Sequence, residues 1–226
     1  MTAAGSASEP ASGAVPAPGP VANALERIGI VPVVVLDDAE AAPELAAALV
    51  AGGIGCAEIT LRTPAGLGAI ARIAASRPDF LVGAGTVLDV DEVDRIADAG
   101  GRFVVSPGLD PAIVTRARDL GIEALPGVAT ASEVQHARRL GLRRVKLFPA
   151  GQLGGRATIE ALAAPFADMR FLPSGGVGPH NAADYLACAA VFAVSGSWMV
   201  PRDALAAGDW RRVERLSAQA VAGIGR

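Results

Sequence analysis

The sequence predicts an α/β protein, a single (β/α)8 barrel with a short N-terminal helix. Three observations carry that expectation. From residue 30 onward one pattern repeats, in which an apolar run is followed by a turn, a helical periodicity and a glycine. Eight such runs begin at intervals of 20 to 26 residues, the spacing of a strand followed by a crossover helix. The chain has 226 residues, 51% hydrophobic and 19% charged, enough for one sizeable core, and about 200 residues can form a single barrel. A doubly wound open sheet is the alternative. It needs no special feature at the eighth strand, where this chain carries the small polar motif Ser195-Gly196-Ser197.

Taken in order, residues 1–20 are alanine, glycine, proline and serine with almost no large apolar side chains. They read as a disordered tail ahead of a domain spanning 21–226. Residues 21–27 form a short amphipathic helix suited to plugging one end of the fold. The strand runs are 30–36, 56–61, 80–83, 103–106, 123–125, 144–148, 170–173 and 191–194. Helical patterns occupy 41–51, 64–76, 90–99, 111–120, 132–140, 158–162, 181–188 and 210–222. Asp89 and Ser132 are candidate N-caps, because a short oxygen-bearing side chain can accept from the first free N–H groups. Pro64 and Pro111 suit a first turn, which has no use for their missing N–H. Gly52, Gly100, Gly121 and Gly141 suit the left-handed position past a helix end.

Composition excludes several function classes. Net charge is −3 with no basic patch, which argues against a nucleic-acid partner. Cys56 and Cys188 lie far apart in apolar segments and read as free buried thiols. No CxxC or HxxxH spacing occurs and His136 and His180 are isolated, so no metal or cofactor is expected. No run reaches membrane-spanning length, and no basic segment followed by an apolar core opens the chain. A cytoplasmic protein is expected.

Lys146 is the only lysine, and it sits inside the apolar run 144–148. Loss of hydration favours the neutral form of an amine, and a neutral amine is a nucleophile toward ketones. Nucleotide bias alone can explain the arginine excess, and a strand-end lysine can snorkel to water. Direction says more. Strand residues alternate between the barrel interior and the helix layer, so Arg144, Lys146 and Phe148 share the inward face. On the second run Glu58, Thr60 and Arg62 share it too. A structural Glu–Arg ion pair would account for two of these. Three successive polar inward positions are expensive to desolvate for structure alone, and an amine converging with a carboxylate makes a nucleophile–base pair. The seventh and eighth runs end in Ser174-Gly175-Gly176 and Ser195-Gly196-Ser197. Glycines there let N–H groups approach an anion, at the recurrent phosphate site of such barrels. Gly83-Ala84-Gly85-Thr86, after the third run, lacks the GxGxxG spacing of a dinucleotide site.

Together with Ser106-Pro107-Gly108, Pro126-Gly127, Val145-Lys146-Leu147-Phe148-Pro149 and Gly196-Ser197-Trp198, these motifs resemble the class I 2-keto-3-deoxy-6-phosphogluconate aldolases over nearly all of the chain past the tail. Members of that family often act on 4-hydroxy-2-oxoglutarate as well. The resemblance implies that Lys146 forms the Schiff base and that Glu58 is the general acid and base. It also implies that Arg62 and Thr86 hold the substrate carboxylate and that Gly175, Gly176 and Ser197 cradle the phosphate. Pro107, Phe148 and Ser174 would wall the pocket. A homotrimer acting on a phosphorylated 2-keto acid, without metal or cofactor, is implied too. Ser174 stands where many members have threonine, and Gly151 where many have glutamate. Other readings stay open at this point. They are an aldolase for the galactonate-series epimer, a non-covalent phosphosugar isomerase or epimerase, a metal-dependent pyruvate aldolase, and a phosphosugar-binding protein without activity.

Overall fold

Parallel strands alternate with helices throughout the computed structural model, which describes residues 19–225. Most of the expected tail lies outside these residues. Helix α1 (Pro20–Ile28) starts one position before the boundary read from the sequence, with Pro20 in the first turn. The strands are β1 (Ile30–Val34), β2 (Cys56–Thr60), β3 (Leu81–Gly85), β4 (Phe103–Val105), β5 (Glu123–Leu125), β6 (Gly127–Val128), β7 (Arg144–Leu147), β8 (Arg170–Pro173) and β9 (Val194–Gly196). Between and after them run α2 (Ala42–Ala51), α3 (Gly66–Ser76), α4 (Val90–Asp98), α5 (Pro111–Asp119), α6 (Ala131–Arg139), α7 (Arg156–Ala163), α8 (Ala182–Leu186), α9 (Arg202–Ala207) and α10 (Trp210–Gly223). The short α9 has no counterpart among the helical patterns of the sequence.

The strands form two hydrogen-bonded groups, a six-stranded sheet in the order β5-β4-β3-β2-β1-β9 and a three-stranded one in the order β6-β7-β8. All pairings are parallel, as crossover helices require. The fold is thus α/β with a curled parallel sheet. One break falls at Pro126, between β5 and β6, where the missing N–H removes a ladder bond. Its carbonyl still accepts from the Lys146 N–H at 2.9 Å. On the other side of the three-stranded group, single parallel bridges join Phe171 to Val191 and Ser174 to Ser195.

Local chemistry moves several expected boundaries. Asp89 does cap α4, accepting from the Glu92 N–H at 3.0 Å. Ser132 does not cap α6. Thr130 does, because it stands three residues before Glu133, and the two exchange the reciprocal bonds of a capping box. Pro111 heads α5, whereas Pro64 sits in the turn before α3. Gly100, Gly121 and Gly141 adopt positive φ, but after α2 that role falls to Gly53 at +88°, and Gly52 lies at −81°. The third strand runs on through Gly83-Ala84-Gly85 instead of ending there, and the last ladder begins only at Val194.

Helix α1 closes the end at which the strands begin. Val21, Ala22 and Leu25 are buried. Arg144, at the start of β7, is buried over the Phe192 ring at 5.4 Å and is ion-paired with Glu26 of α1. Burial pushes the nearby Glu123 carboxyl up, and Arg144 opposes the shift. Inward-facing Arg144 therefore belongs to this plug, at the opposite end of β7 from Phe148.

The seam at Pro126 needs close backbone approach. A Cβ at Gly127 would lie 2.0 Å from the Pro107 carbonyl oxygen and 3.0 Å from the Gly108 nitrogen, and backbone cannot yield as a side chain can. Gly127→Ala is expected to lose about 2 kcal/mol or more in urea unfolding. Gly55→Ala, where nothing lies within 4 Å, should change stability little, and equal losses at the two positions would contradict this account.

Candidate active site

Lys146 and Glu58 meet in the interior. They come from β7 and β2, strands of different sheets, so only the curl of the fold brings them together. Lys146 Nζ lies 3.7 Å from Glu58 Oε1, an ion-pair distance longer than a direct hydrogen bond. The residues are 6% and 1% exposed. Lys146 Nζ also stands 5.0 Å from the centroid of the half-buried Phe148 ring, within cation–π range.

The space for the carboxylate is made by β3. Gly85 pairs with Thr60, two residues along from Glu58, and a Cβ at Gly85 would lie 2.1 Å from Glu58 Oε1. Burial pushes the Glu58 carboxyl above the usual carboxylate range. The Lys146 ammonium, the Arg62 guanidinium and the Ser195 hydroxyl pull in the other direction. Burial wins, so Glu58 holds a proton more readily than a surface glutamate does. Glu58 Oε2 has no hydrogen-bond partner among the described residues, so the pair is not a closed structural bridge. Taking two such charges out of water is expensive, and perturbed groups of this kind gather at functional sites.

Arg62 is placed differently from the strand-alternation expectation. β2 ends at Thr60, whose hydroxyl donates to the Val34 carbonyl at 2.9 Å, a bond within the framework. Arg62 lies beyond the strand, exposed at the rim. Its Nε donates to Thr86 Oγ1 at 3.1 Å. Thr86 has φ +62°, a region that β-branched residues rarely adopt, so its backbone is held in a strained state to aim that hydroxyl. With Nε anchored, and no carboxylate within 4 Å among the described residues, the terminal nitrogens of Arg62 are free to grip an anion. Arg62, Ser197 and Arg202 share a cleft of about 530 Å³ with Val33, Val35 and Asp37.

The glycine loops lie at the same end of the strands. Gly175 and Gly176 have φ of +86° and +78°, so successive N–H groups turn to one side. Those N–H groups and that of the exposed Ser197 find no acceptor among the described residues. Ser174 is buried and bridged to Ser195, which ties the two loops together. Pro107 is exposed after β4, with its carbonyl against Gly127. No group of three or more His, Cys, Asp or Glu able to hold a metal occurs among the described residues, and no helix there is long and apolar enough to cross a membrane.

Two participants escaped the sequence reading. Ser195 entered only as part of an anion loop, although it is wholly buried and faces Glu58. A lone serine closing the apolar stretch from Val191 to Val194 was the available signal. Gly85 entered only within the Gly83-Ala84-Gly85-Thr86 stretch, rejected as a nucleotide motif and counted toward the family resemblance, with no role of its own. Its signal was its register opposite the inward residues of β2, which no single sequence displays.

Comparison with known proteins agrees with this arrangement. Residues 21–216 match the KDPG and KHG aldolase family. The 2-dehydro-3-deoxy-phosphogluconate aldolase of Treponema pallidum is 45% identical over 203 residues, covering 90% of this chain and 97% of that protein. The enzyme of the same name from Pseudomonas aeruginosa is 48% identical over 193 residues, covering 85% and 87%. Among solved structures, a KDPG aldolase from Legionella pneumophila, with pyruvate captured as a covalent carbinolamine intermediate, is similar at a TM-score of 0.86. It is 34% identical, covering 89% of this chain and 98% of that one.

The electrostatic balance at Glu58 is testable. Lys146 and Arg62 both lower its proton affinity, Lys146 more. Lys146→Met is therefore expected to raise the midpoint of the Glu58 carboxyl in a ¹³C NMR titration, and Arg62→Gln to raise it less. A midpoint that falls in Lys146→Met would contradict the assigned causes.

Proposed function

The chain belongs to the KDPG and KHG aldolase family, and from that premise we propose that it is a class I aldolase. It would cleave 2-keto-3-deoxy-6-phosphogluconate reversibly to pyruvate and D-glyceraldehyde 3-phosphate. The observation that carries the reading is the amine of Lys146, buried and 3.7 Å from the Glu58 carboxylate. The carbinolamine named for the Legionella relative supports the same chemistry here. Activity on 4-hydroxy-2-oxoglutarate is proposed as a second reaction of the same site.

In this mechanism Lys146 Nζ adds to the C2 ketone to form a carbinolamine, and loss of water leaves an iminium. The iminium draws the electrons of the C3–C4 bond as it breaks, and the C4 hydroxyl gives its proton to Glu58. Glyceraldehyde 3-phosphate leaves. Glu58 returns the proton to C3 of the enamine, and hydrolysis frees pyruvate and the amine. A carboxylate held above its usual range suits both directions of transfer, because it binds and releases a proton nearer neutrality. Ser195, buried close to Glu58 with its hydroxyl unpartnered among the described residues, is placed to donate to it during the reaction. Arg62, oriented by Thr86, grips the carboxylate and so sets C2 over the amine. The N–H groups of Gly175, Gly176 and Ser197 receive the phosphate, and Phe148, Ser174 and Pro107 wall the chain between.

We read the two sheets as arcs of one eight-stranded barrel. Continuity of the chain from β5 to β6 across Pro126 supports this at one seam, and the bridges from β8 toward β9 support it at the other. The active homotrimer and a cytoplasmic location, suited to a phosphorylated substrate, are part of the same proposal.

Incubation with pyruvate and borohydride in the presence of EDTA is expected to leave a stable adduct on Lys146, identified by peptide mass. Lys146→Ala should lose adduct and turnover together, and near-normal turnover in that variant would sink the Schiff base. The deprotonated Glu58 is the form that accepts a proton. Because burial raises its proton affinity, the acidic limb of kcat/KM should lie above the ordinary carboxylate range. Glu58→Gln should slow turnover by about a hundredfold or more and abolish that limb.

A further inference from the structure

The cleft at the mouth of the site holds a second cation, Arg202, to which the mechanism above gives no part. Arg202 follows Ser197 by five residues. The Val200 N–H donates to the Ser197 carbonyl at 3.0 Å, and this turn brings Pro201 and Arg202 back onto the cleft wall that Ser197 also lines. Asp37, in the loop after β1, holds the Arg202 guanidinium at 3.0 Å. β1 and β9 are paired strands, so the ion pair spans the ends of two neighbours.

We propose that Arg202 is a specificity-determining residue for the phosphorylated end of the substrate, and that Asp37 is its exchangeable partner when no substrate is bound. The inference rests on the proposed role of Ser197 and the glycine loops as the phosphate cradle. Three observations carry it. The two cations of the cleft differ in their partners. Arg62 is held by the neutral Thr86 hydroxyl beside the Lys146–Glu58 pair, whereas Arg202 is held by a carboxylate on the side of Ser197. The Arg202 and Asp37 side chains are 67% and 66% exposed. A pair that open is weak, so a dianionic phosphoryl group can take the guanidinium from Asp37 at little loss. Asp37 is also the one acidic side chain lining this cleft among the described residues, so it competes for Arg202 and its charge opposes an arriving phosphoryl dianion. The guanidinium thus attracts the phosphoryl group, and the carboxylate sets how readily the guanidinium is released to it.

Steady-state kinetics on the phosphorylated 2-keto-3-deoxy acid and on its unphosphorylated counterpart test the proposal. The readout is the ratio of the two kcat/KM values, with pyruvate–borohydride trapping on Lys146 run alongside. Arg202→Gln should lower the ratio roughly tenfold, through KM for the phosphorylated substrate, as loss of one charge-assisted contact predicts. Arg202→Lys should recover part of it. Asp37→Asn should raise the ratio, the opposite sign, because it frees Arg202 and removes a negative charge. Raising the ionic strength should shrink all these differences. An unchanged ratio in Arg202→Gln, an equal loss on both substrates, or a fall in Asp37→Asn would overturn the inference while trapping stays intact. Absence of trapping in the unaltered protein would instead overturn the aldolase reading itself.

Discussion

A carboxyl group and an amine are held together where water barely reaches, and much of the molecule serves to make that tolerable. Glu58 has room only because β3 presents Gly85 instead of a side chain. The opposing pull of Lys146, Arg62 and Ser195 keeps its charge within reach despite burial. The two partners stand on strands that do not pair, so their separation is fixed by the curl of the sheet and not by any local turn. Hydrogen-bonded register positions each partner along its strand, with Glu58 opposite Gly83 and Val33, and Lys146 opposite Gly127 and Leu172.

The two ends of β7 show what burial demands of a cation. Arg144 is buried at the start of the strand, and helix α1 brings Glu26 to meet it over the Phe192 ring. That end is closed, and the Arg144 charge is paired there even though its Nε finds no hydrogen-bond partner among the described residues. Lys146, two residues on, faces a carboxylate with one oxygen left without a partner. The same alternation that directs both side chains inward thus yields a structural plug at one end and a candidate site at the other. What separates the two ends is access: Arg144 is covered by α1 and its ion pair, whereas Lys146 lies at the end where the strands open onto the loops.

Strand alternation made the convergence of Lys146 and Glu58 legible, because a period of two is robust to small errors in where a strand ends. It failed at Arg62, since β2 stops at Thr60 and alternation has no meaning in the turn beyond. Helix ends were legible to within a residue or two, and the errors have local causes. Thr130 outcompetes Ser132 as a cap because Glu133 can answer it only at a spacing of three. Gly53, not Gly52, takes the left-handed turn, and two adjacent glycines offer no signal to choose between them. The division of the strands into two groups was hidden because it depends on which neighbours pair across Pro126. The room that Gly85 leaves for Glu58 was hidden for the same reason, since it is a relation between strands.

The break at Pro126 has a consequence for assembly. Everything the carboxylate needs, Glu58 with Gly85, Arg62, Thr86 and Ser195, lies on the six-stranded group or in the loops that leave it. The amine lies on the three-stranded group. The larger group alone holds an acid in a hollow and has no nucleophile, so the chemistry needs both groups in place. The proposed imine is therefore a covalent record of both groups being in place, and a polypeptide divided between β5 and β6 would carry Glu58, Gly85, Arg62 and Thr86 on one piece and Lys146 and Ser195 on the other.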